Sequence, residues 1–253
     1  MQLADLRLAV RPRNTWEAID LGVRLAQSEA GLLWKTWFCV TLPVFLIIFF
    51  LSAGLGQHWS IVLLWWLKPL YDHALLIVLS RRVFGATPGL RDILQTLAGS
   101  WRHGLPGHLL WRRFSMSRAY LLPVWMLENL PTNERNVRIS LLRRHYTGRA
   151  RWLFIVMWHF EALLFLTALS LVFWLAPAGQ SDALWQQFTL SQDLFTQTLQ
   201  LLAYFIAISV IEPFYVAAGF SLYLNRRTEL EAWDLELAFR HLRQRLDNPG
   251  RSS

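Results

Sequence analysis

The chain has 253 residues, of which 54% are hydrophobic and only 17% are charged, and it contains 14 Trp and 16 Phe. An ordinary soluble domain is about one quarter charged, so this composition excludes a typical soluble protein. The formal net charge of +8 suits either nucleic acid or an anionic membrane surface as a partner. The single cysteine, Cys39, excludes an intramolecular disulfide.

Four apolar stretches have the roughly 20 residues that a helix needs to cross a bilayer. They cover residues 32–55, 59–79, 152–175 and 198–224, and the second and fourth also contain ionisable side chains. The sequence therefore predicts an all-α integral membrane protein with four transmembrane helices.

The distribution of basic residues predicts how these four spans are oriented. The segment between the first and second spans, and the segment between the third and fourth, contain no Lys or Arg. Because cytoplasmic segments collect Lys and Arg, both termini are expected in the cytoplasm. The basic surplus then fits anionic lipid headgroups, and no RNA-binding signature indicates nucleic acid. With no cleavable signal peptide before the first span, we expect a bacterial inner (plasma) membrane protein.

The two terminal segments, 1–31 and 228–253, are predicted to be cytoplasmic amphipathic helices. In the first of them, Asn14 and Glu17 resemble a capping box at a helix start. This helix would lie along the membrane surface or pack against the other cytoplasmic helices, and both alternatives stay open. Its expected apolar stripe consists of Trp16, Ile19, Val23 and Ala26.

The segment 83–151 is long and basic, and Gly and Pro interrupt it. The spacing of its apolar residues predicts a short amphipathic helix after Pro88 and another just before the third span. Between them, SRAYLLPVWMLENL is too short to span and would be interfacial or shallowly re-entrant. The arginines predict a basic cytoplasmic surface that faces lipid or docks an acidic partner. The residues assigned to this surface are Arg112, Arg113, Arg143, Arg144, Arg226 and Arg227.

Two stretches of the chain resemble each other. Residues 68–82 read KPLYDHALLIVLSRR and residues 212–227 read EPFYVAAGFSLYLNRR, each with a charged residue, Pro, an apolar residue and Tyr at its start. Each would form the inner half of the second helix of a hairpin. The chain is therefore predicted to contain two transmembrane hairpins, 32–82 and 152–227, related by an axis along the membrane normal.

This repeat places Lys68 and Glu212 at the same depth with opposite charges. A charge inside a membrane faces the bundle interior and pairs, so we expect Lys68 to pair with Glu212, or alternatively with Asp72 one turn along. A second polar layer would lie closer to the cytoplasm, serving hydrogen-bonded packing or a cation or proton path. The residues assigned to the two layers are Lys68, Asp72, His73, His159, Glu161 and Glu212.

Pro69 and Pro213 predict paired helix kinks, because each proline removes one helical hydrogen bond and frees a carbonyl one turn earlier. The kinks would shape the bundle or flank a substrate or ion site. The sequence contains no phosphate-binding loop, nucleophile elbow or metal-ligand motif. No catalytic residue, cofactor or metal site is predicted.

EPFYVAAGFSLYLNRRTELEAWDLEL, together with RPRNTWEAIDLG and WWLKP, resembles a group of uncharacterised proteobacterial inner membrane proteins. This resemblance covers most of the chain and implies two partners, a transglutaminase-like membrane protein and a MoxR-type ATPase encoded nearby. The fourth span and tail are also similar to the membrane domain found with some glycerophosphodiester phosphodiesterases. Because this sequence contains no soluble catalytic domain, that activity is not implied.

Together these features predict a non-enzymatic inner membrane scaffold, or a subunit of a membrane-associated complex, that presents charged amphipathic helices to cytoplasmic partners. A small transporter or channel that uses the two polar layers is the alternative, and a lipid-acting intramembrane enzyme is the third possibility.

Overall fold

The structure, a computed structural model, describes residues 13–55, 57–100, 105–128, 130–175, 186 and 194–231. Within these ranges the regular structure is entirely helical. Four helices are long and apolar enough to cross a membrane, which confirms the predicted all-α membrane class and its four spans.

The helices are numbered in chain order. They are α1 (Thr15–Ser28), α2 (Ala30–Leu55), α3 (Gln57–Trp66), α4 (Lys68–Val83), α5 (Leu90–Gly99), α6 (Leu105–Leu109), a 3-10 helix (Trp111–Phe114), α7 (Arg118–Leu127), α8 (Thr132–Trp174) and α9 (Leu194–Glu231). The second span is divided at Leu67 into α3 and α4, and the one-turn 3-10 helix precedes α7.

The third span belongs to a single helix, α8, of 43 residues. At 1.5 Å per residue this helix is about 65 Å long, roughly twice the hydrocarbon thickness of a bilayer. The prediction of a separate short helix before residue 152 is therefore wrong. Near residue 152 the sequence changes from polar to apolar residues. The helix continues through this change because no proline interrupts its backbone hydrogen bonds.

Burial is distributed unevenly over the four spans. In the most apolar window of each helix, 78% of α9 residues are buried but only 6% of α8 residues. Helix α9 is therefore the central helix, and α1, α2, α4, α7 and α8 all pack on it. In the apolar half of α8 most residues are exposed or only half-buried, and the exposed ones are available to surrounding lipid.

Helix α1 packs directly on α9. A Cβ atom added at Gly22 would lie 2.5 Å from the Cα of Ala218, so the two backbones approach as closely as small residues permit. Helix α1 therefore packs on the helix of the fourth span, and not on the other cytoplasmic helices that were one of its two expected surroundings. The predicted stripe is wrong at Trp16, which is 62% exposed, because the close approach selects small side chains. The buried residues of α1 are Thr15, Ala18, Gly22 and Ala26.

Helix α7 is formed by the apolar segment SRAYLLPVWMLENL, which was expected at the membrane surface. It lies inside the helical bundle. Residues 118–124 are all buried, and α7 contacts α4, α8 and α9. A Cβ atom at Gly219 would lie 2.5 Å from that of Ala119, so α7 also meets α9 at a glycine. This placement brings the first residue of α7, Arg118, into the bundle interior.

Replacing Gly22 with Leu should destabilise the protein, because the new side chain would force α1 away from α9. Overpacking of this kind costs about 1–3 kcal/mol, which thermal unfolding in a mild detergent would detect. The matched control is Gly31→Leu, since nothing lies within 4 Å of a Cβ atom at that position. Equal melting temperatures for the two variants would contradict the close α1–α9 contact.

Candidate functional site

Lys68, the first residue of α4, lies at the centre of a buried group of charged side chains. Its Nζ atom is 2.5 Å from Oε2 of Glu161 on α8 and 2.7 Å from Oε2 of Glu212 on α9. The side chain predicted to pair with Glu212 is therefore in contact with it, and Glu161 joins the same ammonium group.

Arg118 of α7 extends this group to a second cation. Its Nε atom donates to Oδ2 of Asp72 at 2.7 Å, and its Nη2 atom donates to Oε1 of Glu212 at 3.0 Å. Asp72 therefore pairs with Arg118, and Lys68 pairs with Glu161 and Glu212. We call these five residues the ion network: Lys68, Asp72, Arg118, Glu161 and Glu212.

The ion network is inaccessible to solvent, since none of its members is more than 6% exposed. Burial alone would lower the pKa of Arg118, but the carboxylates of Asp72 and Glu212 hold that pKa above the ordinary arginine value. Buried carboxylates and cations are tolerated when they pair and hydrogen-bond in this manner. The ion network thus joins α4, α7, α8 and α9 through charge-assisted hydrogen bonds.

Arg113 completes the charge balance of this region. It is 4% exposed, and it interacts electrostatically with Asp72 and Glu212. Burial and the nearby Arg118 lower the pKa of Arg113 to about 10, so the side chain stays cationic at neutral pH. By formal charge, three cations (Lys68, Arg113 and Arg118) and three carboxylates (Asp72, Glu161 and Glu212) share this buried region.

At both Pro69 and Pro213, a side chain from another helix donates to the carbonyl that the proline leaves free. Pro69 leaves the carbonyl of Trp65 without a helical donor, and Nη2 of Arg113 donates to it at 2.6 Å. Pro213 leaves the carbonyl of Ser209 free, and Nε1 of Trp34 donates to it at 3.1 Å. The two prolines therefore occupy corresponding positions in the two similar stretches and are compensated in the same way.

The two histidines assigned to the polar layers lie outside the ion network. His73 is buried, and its Nδ1 atom is 2.6 Å from the carbonyl of Pro69 on its own helix. His159 is exposed, with Nδ1 2.7 Å from the carbonyl of Ile155, so its assignment to the polar core is wrong. Two residues apart on one helix, His159 and Glu161 face different directions, and only Glu161 points inward.

The six arginines assigned to a basic surface have different environments. Arg113 is buried, so its assignment is wrong; its guanidinium carbon lies 3.7 Å from the ring centroid of Trp65. Arg143 and Arg144 are exposed. The remaining three are half-buried, with Arg112 over Trp125, Arg226 paired with Glu229, and Arg227 paired with Glu231.

Arg118 and Arg113 are the site residues that sequence reasoning missed. Both lie in an arginine-rich segment, where each looked like one more solvated cation. Charge counting is the signal that could have found them. The predicted polar layers held three carboxylates, Asp72, Glu161 and Glu212, against the single lysine Lys68, and such an excess of buried negative charge calls for further cations.

A cavity of about 300 Å³ opens between α3, α8 and α9 and reaches Glu161. Its lining is mostly apolar, with the Tyr204 side chain at its wall. In the part of the chain that the structure describes, no group of three or more His, Cys, Asp or Glu is arranged to hold a metal ion. The residue types around this cavity suit an apolar molecule more than a hydrated ion. They are Ile61, Val62, Trp65, Trp158, Glu161, Ala162, Phe165 and Tyr204.

Comparison with protein-family models, with curated proteins and with solved structures finds no match to this chain. The function must therefore be inferred from the site itself.

Replacing Glu212 with Gln should destabilise the protein strongly, since it leaves Lys68 and Arg118 with one carboxylate each in a buried site. Breaking a buried ion pair costs about 3–5 kcal/mol. Asp72→Asn should cost less, because Arg118 keeps Glu212. The exposed His159→Gln is the control, expected within about 0.5 kcal/mol of wild type in detergent unfolding. If Glu212→Gln unfolded like the control, the ion network would have no stabilising role.

Trp34→Phe should remove the donor that satisfies the Ser209 carbonyl and cost about 1–3 kcal/mol. In a Pro213→Ala background the helix regains its own donor for that carbonyl, so the same Trp34→Phe change should cost less. A double-mutant cycle followed by thermal unfolding measures this difference. Additive effects would show that Trp34 stabilises the protein only by packing.

Proposed function

We propose that the protein is a non-enzymatic scaffold or complex subunit of a bacterial inner membrane, with both termini in the cytoplasm. The observation that carries this proposal is the ion network. It joins four helices, and with Arg113 it is charge-balanced, so it serves as a fixed joint and needs no transported ion. A transporter normally keeps an intramembrane charge accessible to its substrate or to water.

The ends of α7, α8 and α9 supply a surface on which a partner could dock. They border an open groove of about 740 Å³ lined by both apolar and charged side chains. Exposed Val137 lines this groove, and so does Arg138, whose guanidinium pairs with Glu128 and Glu231. Apolar surface edged by charge is typical of the interfaces of subunits that assemble with another protein.

The partners proposed for this groove are cytoplasmic or membrane proteins. The MoxR-type ATPase and the transglutaminase-like membrane protein implied by the sequence resemblance are the first candidates. A helix or extended segment carrying apolar and charged residues would suit a groove of this composition.

Affinity purification of the full chain from its native membrane, with mass spectrometry, tests the scaffold proposal. We expect one or two proteins to copurify in near-stoichiometric amounts and to be lost in Val137→Glu. The matched control, Asn136→Glu, adds the same charge to the adjacent exposed position, which does not line the groove. Absence of any stoichiometric partner, or equal loss in both variants, would contradict the proposal.

The alternative, a small transporter or channel, is supported by the cavity that reaches Glu161. In a Cys39→Ser background, the scaffold proposal expects a thiol at Ala162, in the cavity wall, to resist a water-soluble maleimide. Leu163→Cys, on the exposed face of the same helix, is the control for lipid shielding. Selective labelling at residue 162 would favour the transporter and contradict the scaffold.

A further inference from the structure

Arg112 and Arg135 hold one tryptophan side chain between them. The guanidinium carbon of Arg112 is 3.4 Å from the ring centroid of Trp125, and that of Arg135 is 4.0 Å from the same centroid. Two guanidinium groups at these distances cannot fit on one face of the ring, so they lie on opposite faces. Their separation is then at most the sum of the two distances, short enough for one phosphate at the edge of the indole to bridge them.

Unlike Arg118 and Arg138, these two arginines have no acidic ion-pair partner among the residues that the structure describes. Arg138, one turn after Arg135, pairs with Glu128 and Glu231. Among the described residues no carboxylate forms an ion pair with either Arg112 or Arg135. The Nε atom of Arg135 is buried and has no hydrogen-bond partner among the described residues. Two cations fixed on opposite faces of one aromatic ring repel each other, and an anion bound to both at the edge of the ring would relieve that repulsion.

The backbone around Arg112 is adapted to hold the guanidinium in this place. A Cβ atom at Gly107 would lie 2.5 Å from Nη1 of Arg112, so the glycine provides the space that this group occupies. His108, on the same short helix, sets its ring 5.8 Å from the Trp125 ring at 82° and supports the indole from the edge. The Arg112 guanidinium is therefore held against the Trp125 ring by the packing around it.

The segment around Arg112 also exposes an unusual amount of apolar surface. Trp111 is 88% exposed and Phe114 70% exposed, and Leu110 and Met116 are exposed beside them. Exposed tryptophan and apolar side chains next to arginine are typical of the boundary between headgroups and acyl chains. The two guanidinium groups thus lie next to a surface suited to lipid chains.

We propose that Arg112, Trp125 and Arg135 form a binding site for the phosphate of an anionic phospholipid headgroup, with the exposed side chains of residues 110–116 placed among its acyl chains. Each guanidinium donates two N–H groups to phosphate oxygens, and the Trp125 ring keeps the two guanidinium groups at a fixed separation. This site goes beyond the scaffold role, since it requires a bilayer and no protein partner.

Native mass spectrometry and thermal unfolding of the full chain in neutral detergent test the site. The probes are phosphatidylglycerol, phosphatidylcholine and inorganic phosphate. We expect one phosphatidylglycerol to bind and raise the melting temperature, with phosphatidylcholine and inorganic phosphate at least about ten-fold weaker. Inorganic phosphate binding as tightly as the lipid would overturn the lipid assignment in favour of a soluble phosphate compound.

Arg112→Gln and Arg135→Gln should each weaken phosphatidylglycerol binding by about ten-fold or more, the loss expected for one charge-assisted contact. Arg143→Gln removes an exposed arginine of α8 that has no aromatic partner and should bind like wild type. If a Gln variant fails to fold, the Lys variants preserve the charge and should still bind more weakly, because lysine lacks the planar fork. Equal affinity in all variants would overturn the proposal, whereas partner copurification should not change in any of them.

Discussion

The carboxylate of Glu212 is the group on which the arrangement of the helices depends. One of its oxygens lies 2.7 Å from Nζ of Lys68, and the other accepts from Arg118 at 3.0 Å. Because Glu212 sits on the central helix and is buried, both of its oxygens need hydrogen-bond donors, and Lys68 and Arg118 each supply one. Helices α4 and α7 are thereby fixed relative to α9, and Lys68 in turn fixes α8 through Glu161. A buried charge tolerates few alternative arrangements, so this network specifies which helices are neighbours.

The prolines impose a second constraint of the same kind. A carbonyl freed by proline inside an apolar bundle needs a donor, and in both cases the donor belongs to a different helix. Trp34 reaches the Ser209 carbonyl from α2, and Arg113 reaches the Trp65 carbonyl from the segment before α7. These hydrogen bonds therefore favour the observed neighbours of α3 and α9. The two similar stretches themselves are joined directly by the ion pair between Lys68 and Glu212.

Much of this site follows from local sequence, and the rest depends on tertiary placement. The contact between Lys68 and Glu212 was predictable, since the two similar stretches of sequence placed these residues at equal depth with opposite charge. Arg118 and Arg113 were not, because an arginine in a basic segment gives no local sign of burial, and only the depth of α7 determines it. The prediction that His159 belongs to the polar core was wrong for the opposite reason. Its position in an apolar span indicated burial, but α8 presents most of its circumference to lipid. The length of α8 was also missed, since a change in composition does not end a helix.

Pairing within the bundle explains how so much charge is accommodated. Lys68 lies well inside the apolar span Trp59–Val83, and Glu161 and Glu212 lie well inside the apolar parts of α8 and α9. No member of the ion network is more than 6% exposed, so each charge is compensated by a partner on another helix and not by water. The network can therefore hold four helices together inside the apolar layer. The groove at the ends of α7, α8 and α9, and the exposed side chains before α7, are the surfaces that a partner or a lipid headgroup can reach.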